Sequence, residues 1–195
     1  MTKKKLRLLY RSLREKLTEK EINEMSQQIF SRFIETFKFE KGMTAHLFLS
    51  IEHLKEVNTE PFIQYFFENE INIVVPKVID DQLISVLLER NTPLEKSFWG
   101  VPEPTGTEDF GTEKIDFVLV PVMYADSQGN RVGYGKGFYD TFFRTTDQKI
   151  VKIGLNFFSP DEPVDDAWEF DVPLDYLVTP TEVVSFATGS SKLTK

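Results

Sequence analysis

Residues 115–140 read IDFVLVPVMYADSQGNRVGYGKGFYD. The first ten of them form the most continuous apolar run of the chain, which is typical of a strand buried on both faces. A polar turn follows at 126–131, and glycines then alternate at 133, 135 and 137. The spacing of the aromatic residues Phe138, Tyr139, Phe142 and Phe143 indicates a helix that begins near Gly137. The stretch therefore predicts a buried strand, a glycine-rich loop and a helix N-terminus, in that order.

This glycine-rich loop has the composition of an anion site. Glycines leave backbone N–H groups unobstructed and a helix N-terminus adds positive potential, so the expected guest is a phosphate. Arg131 and Lys136 add charge that suits phosphate. The loop matches neither a Walker A loop nor a full dinucleotide fingerprint, so a plain tight turn remains the alternative on the glycines alone. Asp140 is either a magnesium ligand or an ordinary acid in the first turn of a helix.

Helix and strand patterns alternate along the rest of the chain. Residues 3–17 predict one helix, a capping box at Thr18 and Glu21 starts a second that runs to about 37, and 58–70 predict a third. Strands are predicted at 44–50, 71–79, 83–90, 149–158 and 175–183. The alternation predicts an α/β fold: a layered, mainly parallel open sheet flanked by helices, Rossmann-like, in a single domain over 1–187 with a mobile tail at 188–195. Ligands bind such sheets beyond the carboxyl ends of the strands, where the strand order reverses.

Composition narrows the class of protein. The chain has 195 residues, of which 41% are hydrophobic and 28% charged, and these values are those of an ordinary globular domain. No apolar run reaches the roughly 18 residues of a membrane span, and the N-terminus lacks the features of a signal peptide. The absence of cysteine excludes disulfides, thiolate zinc sites, iron–sulfur clusters and cysteine nucleophiles. We therefore expect a soluble protein in the cytoplasm, without a membrane partner.

The charge is unevenly distributed along the chain. Residues 1–20 contain eight Lys or Arg and two Glu, so their net charge is +6. Because the whole chain has a formal net charge of −8, residues 21–195 carry −14. A basic segment on an acidic body can bind an anionic ligand locally while the whole molecule repels nucleic acid. Of the two histidines, His46 is expected in a strand and His53 in a loop. A histidine-based hydrolytic triad therefore has little support.

Several ordered motifs together resemble those of one known family. GNRVGYGKGFYD at 129–140 is similar to the signature of the 5-formyltetrahydrofolate cyclo-ligases, also called 5,10-methenyltetrahydrofolate synthetases. The resemblance extends to KKKLR at 3–7, FLSIEHLKEVNT at 48–59, WGVPEPTG at 99–106 and FDVPLDYLVTP at 170–180. It covers most of the chain, and it is much more specific than the loop by itself.

The resemblance implies a reaction. Members of this family convert 5-formyltetrahydrofolate to 5,10-methenyltetrahydrofolate with ATP and Mg²⁺, releasing ADP and phosphate. The formyl oxygen attacks the γ-phosphorus, and N10 then attacks the former formyl carbon as phosphate leaves. The implied partner is a small molecule, a folate that can carry a polyglutamate tail, and the implied assembly is a monomer or weak homodimer.

The resemblance also implies roles for particular residues. Arg131, Lys136 and Tyr139 are expected to act in catalysis, and Asp140 and Asp171 to bind Mg²⁺. Folate is expected to contact Leu49, Glu56, Tyr134 and Phe138, with Glu52 as the alternative to Glu56 and Trp99 as a secondary wall. ATP is expected to contact Lys3, Arg7, Arg131, Gly133, Tyr134, Gly135, Lys136, Gly137, Phe138 and Tyr139. Lys4, Lys5, Arg11 and Arg14 are expected to be surface residues.

Two other classes of function compete with this interpretation. A non-catalytic sensor module could use the same loop to bind a nucleotide or phosphate, and it would not need Glu56, Asp140 or Asp171. A nucleic-acid-binding role through the basic N-terminus conflicts with the pI of about 4.9.

Overall fold

The computed structural model describes residues 1–97, 100–146, 150–186 and 193–194. Within these residues four α-helices form: α1 (Lys3–Glu15), α2 (Glu19–Thr36), α3 (Glu60–Glu68) and α4 (Phe138–Thr145). The strands are β1 (Thr44–Leu47), β2 (Asn72–Ile79), β3 (Gln82–Leu88), β4 (Leu94–Lys96), β5 (Pro102–Pro104), β6 (Phe117–Pro121), β7 (Tyr124–Ala125), β8 (Arg131–Val132), β9 (Val151–Leu155), β10 (Tyr176–Val178) and β11 (Val183–Ser185).

Seven of these strands form the central sheet, in the order β11-β10-β9-β6-β1-β2-β3. The five inner strands are parallel, and an antiparallel strand closes each edge. Strand β1 lies between β2 and β6, so the chain first moves to one side of β1 and later returns to the other. The strand order therefore reverses between β1 and β6, and the segments that leave these two strands border the expected ligand crevice.

Helices cover both faces of the sheet, as the α/β prediction requires. On one face, Phe33 of α2 and Phe66 of α3 are fully buried against Phe117 of β6. On the other face, Phe142 and Phe143 of α4 pack in a second apolar cluster with residues of β6. The fold class predicted from the sequence is thus observed.

Helix α1 packs on the hairpin formed by β7 and β8. Its buried residues recur every four positions, which places them on one face of the helix: Leu6, Tyr10 and Arg14. The ring of Tyr10 stacks on Tyr124 of β7 with centroids 4.2 Å apart. This contact brings the basic N-terminal helix next to the segment that carries the glycine loop.

The predicted elements occur with changes at their ends. The capping box forms, since the Glu21 amide donates to Thr18 Oγ1 and the Thr18 amide donates to the Glu21 carboxylate. The run at 115–124 is β6 plus the first residue of β7, and the run at 175–183 is divided between β10 and β11 by a turn at Pro180. The hairpin of β4 and β5 was not predicted. In the predicted strand at 149–158, Lys149 lies outside the described residues and β9 covers 151–155.

The part of the predicted mobile tail that the structure describes packs against the body. Leu193 is 2% exposed and belongs to the core cluster under α2. Its carbonyl accepts a hydrogen bond from the Lys38 amide at 2.6 Å, and Thr194 bridges Phe37. These contacts place the Leu193 side chain in the core, and the mobility of the tail remains a prediction. Separately, no described helix has the length and apolar character needed to span a membrane.

Candidate active site

The glycine loop at 133–137 connects β8 to α4 and lies against α1. Gly135 and Gly137 have φ angles of +91° and +74°, which favour glycine. A Cβ atom on Gly135 would lie 3.3 Å from Arg7 Cζ, so the guanidinium packs directly on the loop backbone. Arg7 Nε also donates to the Gly133 carbonyl at 2.7 Å. The loop therefore has one cationic side chain fixed against it, and Lys136 at its exposed tip supplies a second.

A pair of carboxylates lies beside the start of α4. Val172 donates its amide hydrogen to Asp140 Oδ1 at 3.2 Å, which places Asp140 next to the residue that follows Asp171. Asp171 accepts hydrogen bonds from the Trp168 amide and forms an ion pair with Lys3 Nζ. The family resemblance predicts both acids as metal ligands, and the fold brings them together from positions 31 residues apart in the chain.

These two carboxylates fit a hard cation only in part. Asp140 and Asp171 offer oxygen donors of the kind that Mg²⁺ binds. The part of the chain that the structure describes contains no group of three or more His, Cys, Asp or Glu arranged for a metal ion. Further ligands would have to come from phosphate oxygens or water, and Lys3, which now pairs with Asp171, would have to give up that contact.

Arg131 lies inside this region and not on the open side of the loop. Its side chain is largely buried, and its Nη2 donates to Asp140 Oδ1 at 2.6 Å. The guanidinium also lies over the Phe143 ring, 5.2 Å from the centroid. Burial lowers the pKa of Arg131, and the charges of Asp140 and Asp171 oppose that change. Arg131 is therefore placed to fix Asp140 at the start of α4.

Glu56 forms the link between the glycine loop and the segment after β1. It is 5% exposed, and its two carboxylate oxygens accept hydrogen bonds from Tyr134 Oη at 2.5 Å and from the Ile51 amide at 2.9 Å. Burial raises the pKa of Glu56, while these two hydrogen bonds and the charge of Arg14 lower it. Glu52 is exposed in a short 3₁₀ turn (Glu52–Leu54). Of the two candidate glutamates, only Glu56 contacts the loop.

Arg14 is a site residue that the sequence prediction missed. It was expected at the surface, but it is 3% exposed. Its Nη2 donates to the carbonyl of Val122, just after β6, at 2.8 Å, and its Nη1 donates to Tyr134 Oη at 3.3 Å. Burying a guanidinium is tolerated when such acceptors are present. The four-residue spacing from Leu6 and Tyr10 was a signal that could have placed Arg14 on the buried face of α1.

Two neighbouring cavities border the hydrogen-bonded residues Arg14, Tyr134 and Glu56. The larger, of about 600 Å³, is lined by Glu56, by Leu49 from the segment after β1, by Ile63 of α3 and by Leu94 and Pro102 of the β4–β5 hairpin. The smaller, of about 100 Å³, is strongly cationic. Its basic side chains are Arg7, Arg11, Arg14, His53 and Lys55. A cavity with an apolar wall and several carboxylates, Glu56 among them, thus adjoins a basic pocket at the edge where the strand order reverses, and Lys55 lines both.

Other predicted residues occupy different surroundings. The Tyr139 hydroxyl is buried and has no hydrogen-bond partner among the described residues, and burial raises its pKa. His46 lies in β1, fully buried, with its pKa lowered by burial to about 3. Phe138 begins α4 and is half-buried. Lys4, Lys5 and Arg11 are exposed, as expected. Trp99 lies outside the described residues.

Comparison with known proteins gives a consistent result. The model of the 5-formyltetrahydrofolate cyclo-ligase family matches residues 1–180. A probable 5-formyltetrahydrofolate cyclo-ligase of Schizosaccharomyces pombe is 26% identical, over 94% of this chain and 98% of its own. The structure of Aquifex aeolicus 5,10-methenyltetrahydrofolate synthetase superimposes with a TM-score of 0.82 at 28% identity, covering 98% of this chain and 96% of that one. The Mycoplasma pneumoniae synthetase gives a TM-score of 0.71 at 25% identity, covering 92% and 99%.

Proposed function

The chain belongs to the 5-formyltetrahydrofolate cyclo-ligase family, and we propose that the two adjoining cavities are where it converts 5-formyltetrahydrofolate to 5,10-methenyltetrahydrofolate with ATP. One observation carries this assignment: Tyr134 of the glycine loop donates its hydroxyl hydrogen to Glu56 in the wall of the apolar cavity. This hydrogen bond thereby joins the glycine loop to the proposed folate cavity. A reaction between a phosphate and a folate needs this adjacency.

The phosphates of ATP bind the glycine loop. Backbone N–H groups of residues 133–137 surround them, the N-terminus of α4 adds positive potential, and Lys136 and Arg7 supply charge. Lys3 joins them when the nucleotide displaces its present contact with Asp171. Because phosphoryl transfer depends mainly on positioning and charge stabilisation, this set of groups suits the reaction.

Asp140 and Asp171 would hold Mg²⁺ together with phosphate oxygens. The metal supplies charge neutralisation on the phosphates when it is bound. Arg131 keeps Asp140 in place, and Lys3 occupies the position of a cation beside Asp171 until the nucleotide arrives. The paired carboxylates therefore remain neutralised in the free protein, which lowers the cost of keeping two acids close together.

The pterin of the folate occupies the larger cavity. Its flat ring suits the apolar wall formed by Leu49, and its edge of N–H donors suits the Glu56 carboxylate. The phenol available to this substrate is that of Tyr134, because the Tyr139 hydroxyl is buried inside the fold. We assign Arg14 a positioning role, since its hydrogen bond to Tyr134 holds the loop toward Glu56.

The reaction then proceeds in two steps. The formyl oxygen forms a bond to the γ-phosphorus and the bond to ADP breaks, while the N5 lone pair forms a C=N bond to the formyl carbon. N10 next bonds to this carbon and gives up its proton to solvent, and the C–O bond breaks to release phosphate. Arg7, which lies against the glycine loop in the basic pocket, stabilises the negative charge of the phosphoryl group during both steps.

The appearance of the methenyl product tests this function. Purified protein, 5-formyltetrahydrofolate, ATP and Mg²⁺ should together produce the near-ultraviolet absorbance of the conjugated product, and omission of any one component should abolish it. Glu56→Gln should nearly eliminate the rate, whereas the exposed variant Glu68→Gln, at the end of α3 and outside the lining of both cavities, should retain it. ATP binding without product, with both variants unchanged, would instead favour the sensor module.

A further inference from the structure

Two aromatic side chains on the segment before Asp171 are exposed to solvent without an evident structural reason. Trp168 is 62% exposed and Phe170 is 45% exposed. Their rings pack edge to face, with centroids 4.5 Å apart and planes at 65°. Neither residue belongs to a core cluster among the described residues. Adjacent aromatic side chains that remain exposed to solvent often mark a binding site.

A hydrogen bond and a cation–π contact connect the aromatic pair to residues beside the proposed phosphate site. The Trp168 amide donates to Asp171 Oδ2 at 2.6 Å, and Asp171 in turn pairs with Lys3. On the other side, Arg144 of α4 lies over the Phe170 ring at 5.9 Å. The pair is therefore attached to both elements that border the proposed phosphate site, the start of α1 and helix α4.

Contacts with the N-terminus hold this segment in place. The Lys3 amide donates to Asp166 Oδ1 at 2.6 Å, and the Asp165 amide donates to the Met1 carbonyl at 3.0 Å. The aromatic pair is thus carried on a fixed segment whose geometry relative to α1 is set before any ligand binds. A fixed aromatic surface loses little conformational entropy on binding a flat ring.

We propose that Trp168 and Phe170 form the stacking surface for the adenine of ATP, an inference that rests on the proposed binding of its phosphates at the glycine loop. The charges around the pair agree with this orientation. Asp165, Asp166 and Glu169 are neighbours of the aromatic pair in the sequence, whereas Arg7 lies against the glycine loop. The anionic end of a nucleotide is drawn to the loop and repelled from the aromatic segment, and the uncharged base is not.

This surface predicts weak discrimination between bases. Stacking on an aromatic ring does not depend on the identity of the base, because every base has a π face. ATP, GTP and ITP should therefore support similar rates, and inorganic tripolyphosphate should bind the loop without using the aromatic pair. A nucleotide therefore tests the aromatic surface and the phosphate site together, whereas tripolyphosphate tests the phosphate site alone.

Binding measurements with Trp168→Ala and Phe170→Ala test the inference. Removal of one stacking partner should weaken the binding of a non-hydrolysable ATP analogue roughly tenfold, measured by calorimetry. Binding of tripolyphosphate should stay unchanged. Leu87→Ala on strand β3 is the matched control, because it removes a 40% exposed apolar side chain from the sheet edge.

A fluorescence measurement removes any dependence on the alanine variants. The sequence has two tryptophans, so a Trp99→Phe background isolates Trp168. The ATP analogue should quench this fluorescence, and tripolyphosphate should not.

Equal analogue affinity in all variants would overturn the stacking surface while leaving the phosphate site intact. Loss of a homodimer in Trp168→Ala with unchanged nucleotide affinity would overturn it in favour of self-association. Absence of binding by both probes in the unaltered protein would instead reject the phosphate site and, with it, this inference.

Discussion

Replacing Tyr134 by Phe removes the hydroxyl that joins the glycine loop to the folate cavity. In the unaltered protein this hydroxyl donates to Glu56 at 2.5 Å and accepts from Arg14 at 3.3 Å. The variant leaves Glu56 buried with the Ile51 amide as its remaining hydrogen-bond donor. A hydrogen bond to a charged group contributes about 1.5–3 kcal/mol. At about 1.36 kcal/mol per factor of ten, kcat/KM for 5-formyltetrahydrofolate should fall by roughly 10- to 150-fold.

The same change should alter the pH dependence. Because the Tyr134 hydrogen bond lowers the pKa of Glu56, its loss raises that pKa. The acidic limb of kcat/KM for folate should therefore move to higher pH, while KM for ATP changes little. Initial rates of methenyl product formation at several pH values measure both effects. Tyr139→Phe is the comparison, since its buried hydroxyl makes no hydrogen bond within the described residues, and it should behave like the unaltered enzyme. A normal pH profile in Tyr134→Phe, with impairment in Tyr139→Phe, would refute the reasoning.

Three further expectations concern the charged groups of the site. Burial raises the pKa of Glu56, so its ionised form destabilises the folded protein as pH rises through that pKa; Glu56→Gln should melt at a higher temperature near neutral pH and lose this advantage below about pH 4. Thermal denaturation across pH measures this, and a lower melting temperature near neutral pH would contradict it. Asp140→Asn should lower activity in a way that added Mg²⁺ partly restores, so a metal titration with the unaltered dependence counts against Asp140 as a ligand. Lys136→Ala should raise KM for ATP by roughly tenfold with the circular dichroism spectrum unchanged, whereas Lys4→Ala, on the exposed side of α1, should not; identical ATP kinetics in both would remove Lys136 from the site.

The local patterns of the chain predicted most of the elements. Helical periodicity and the Thr18 capping box gave the start of α2, and the apolar run at 115–124 gave the central strand β6. These signals depend on neighbours within a few positions, and sequence alone displays them. Resemblance to a family, and not periodicity, selected Asp171 from the acids around it.

Contacts between distant positions were the part that the sequence did not provide. Glu56 and Tyr134 are separated by 78 positions, and Arg14 and Val122 by 108. Their pairing depends on which strands become neighbours in the sheet, which no short window contains. The ion pair of Arg131 with Asp140 was not predicted for a different reason: the sequence does not distinguish charges that bind a ligand from charges that pair with each other.

The ion pair between Lys3 and Asp171 joins positions that are 168 residues apart. During synthesis on the ribosome, the first helix emerges long before its partner, so the nucleotide side of the site is incomplete while most of the chain is being made. The segment that carries Trp168 and Asp171 must leave the ribosome before the loop, the carboxylates and α1 can meet. A product truncated before Trp168 would lack both the ion-pair partner of Lys3 and one of the two carboxylates beside the start of α4.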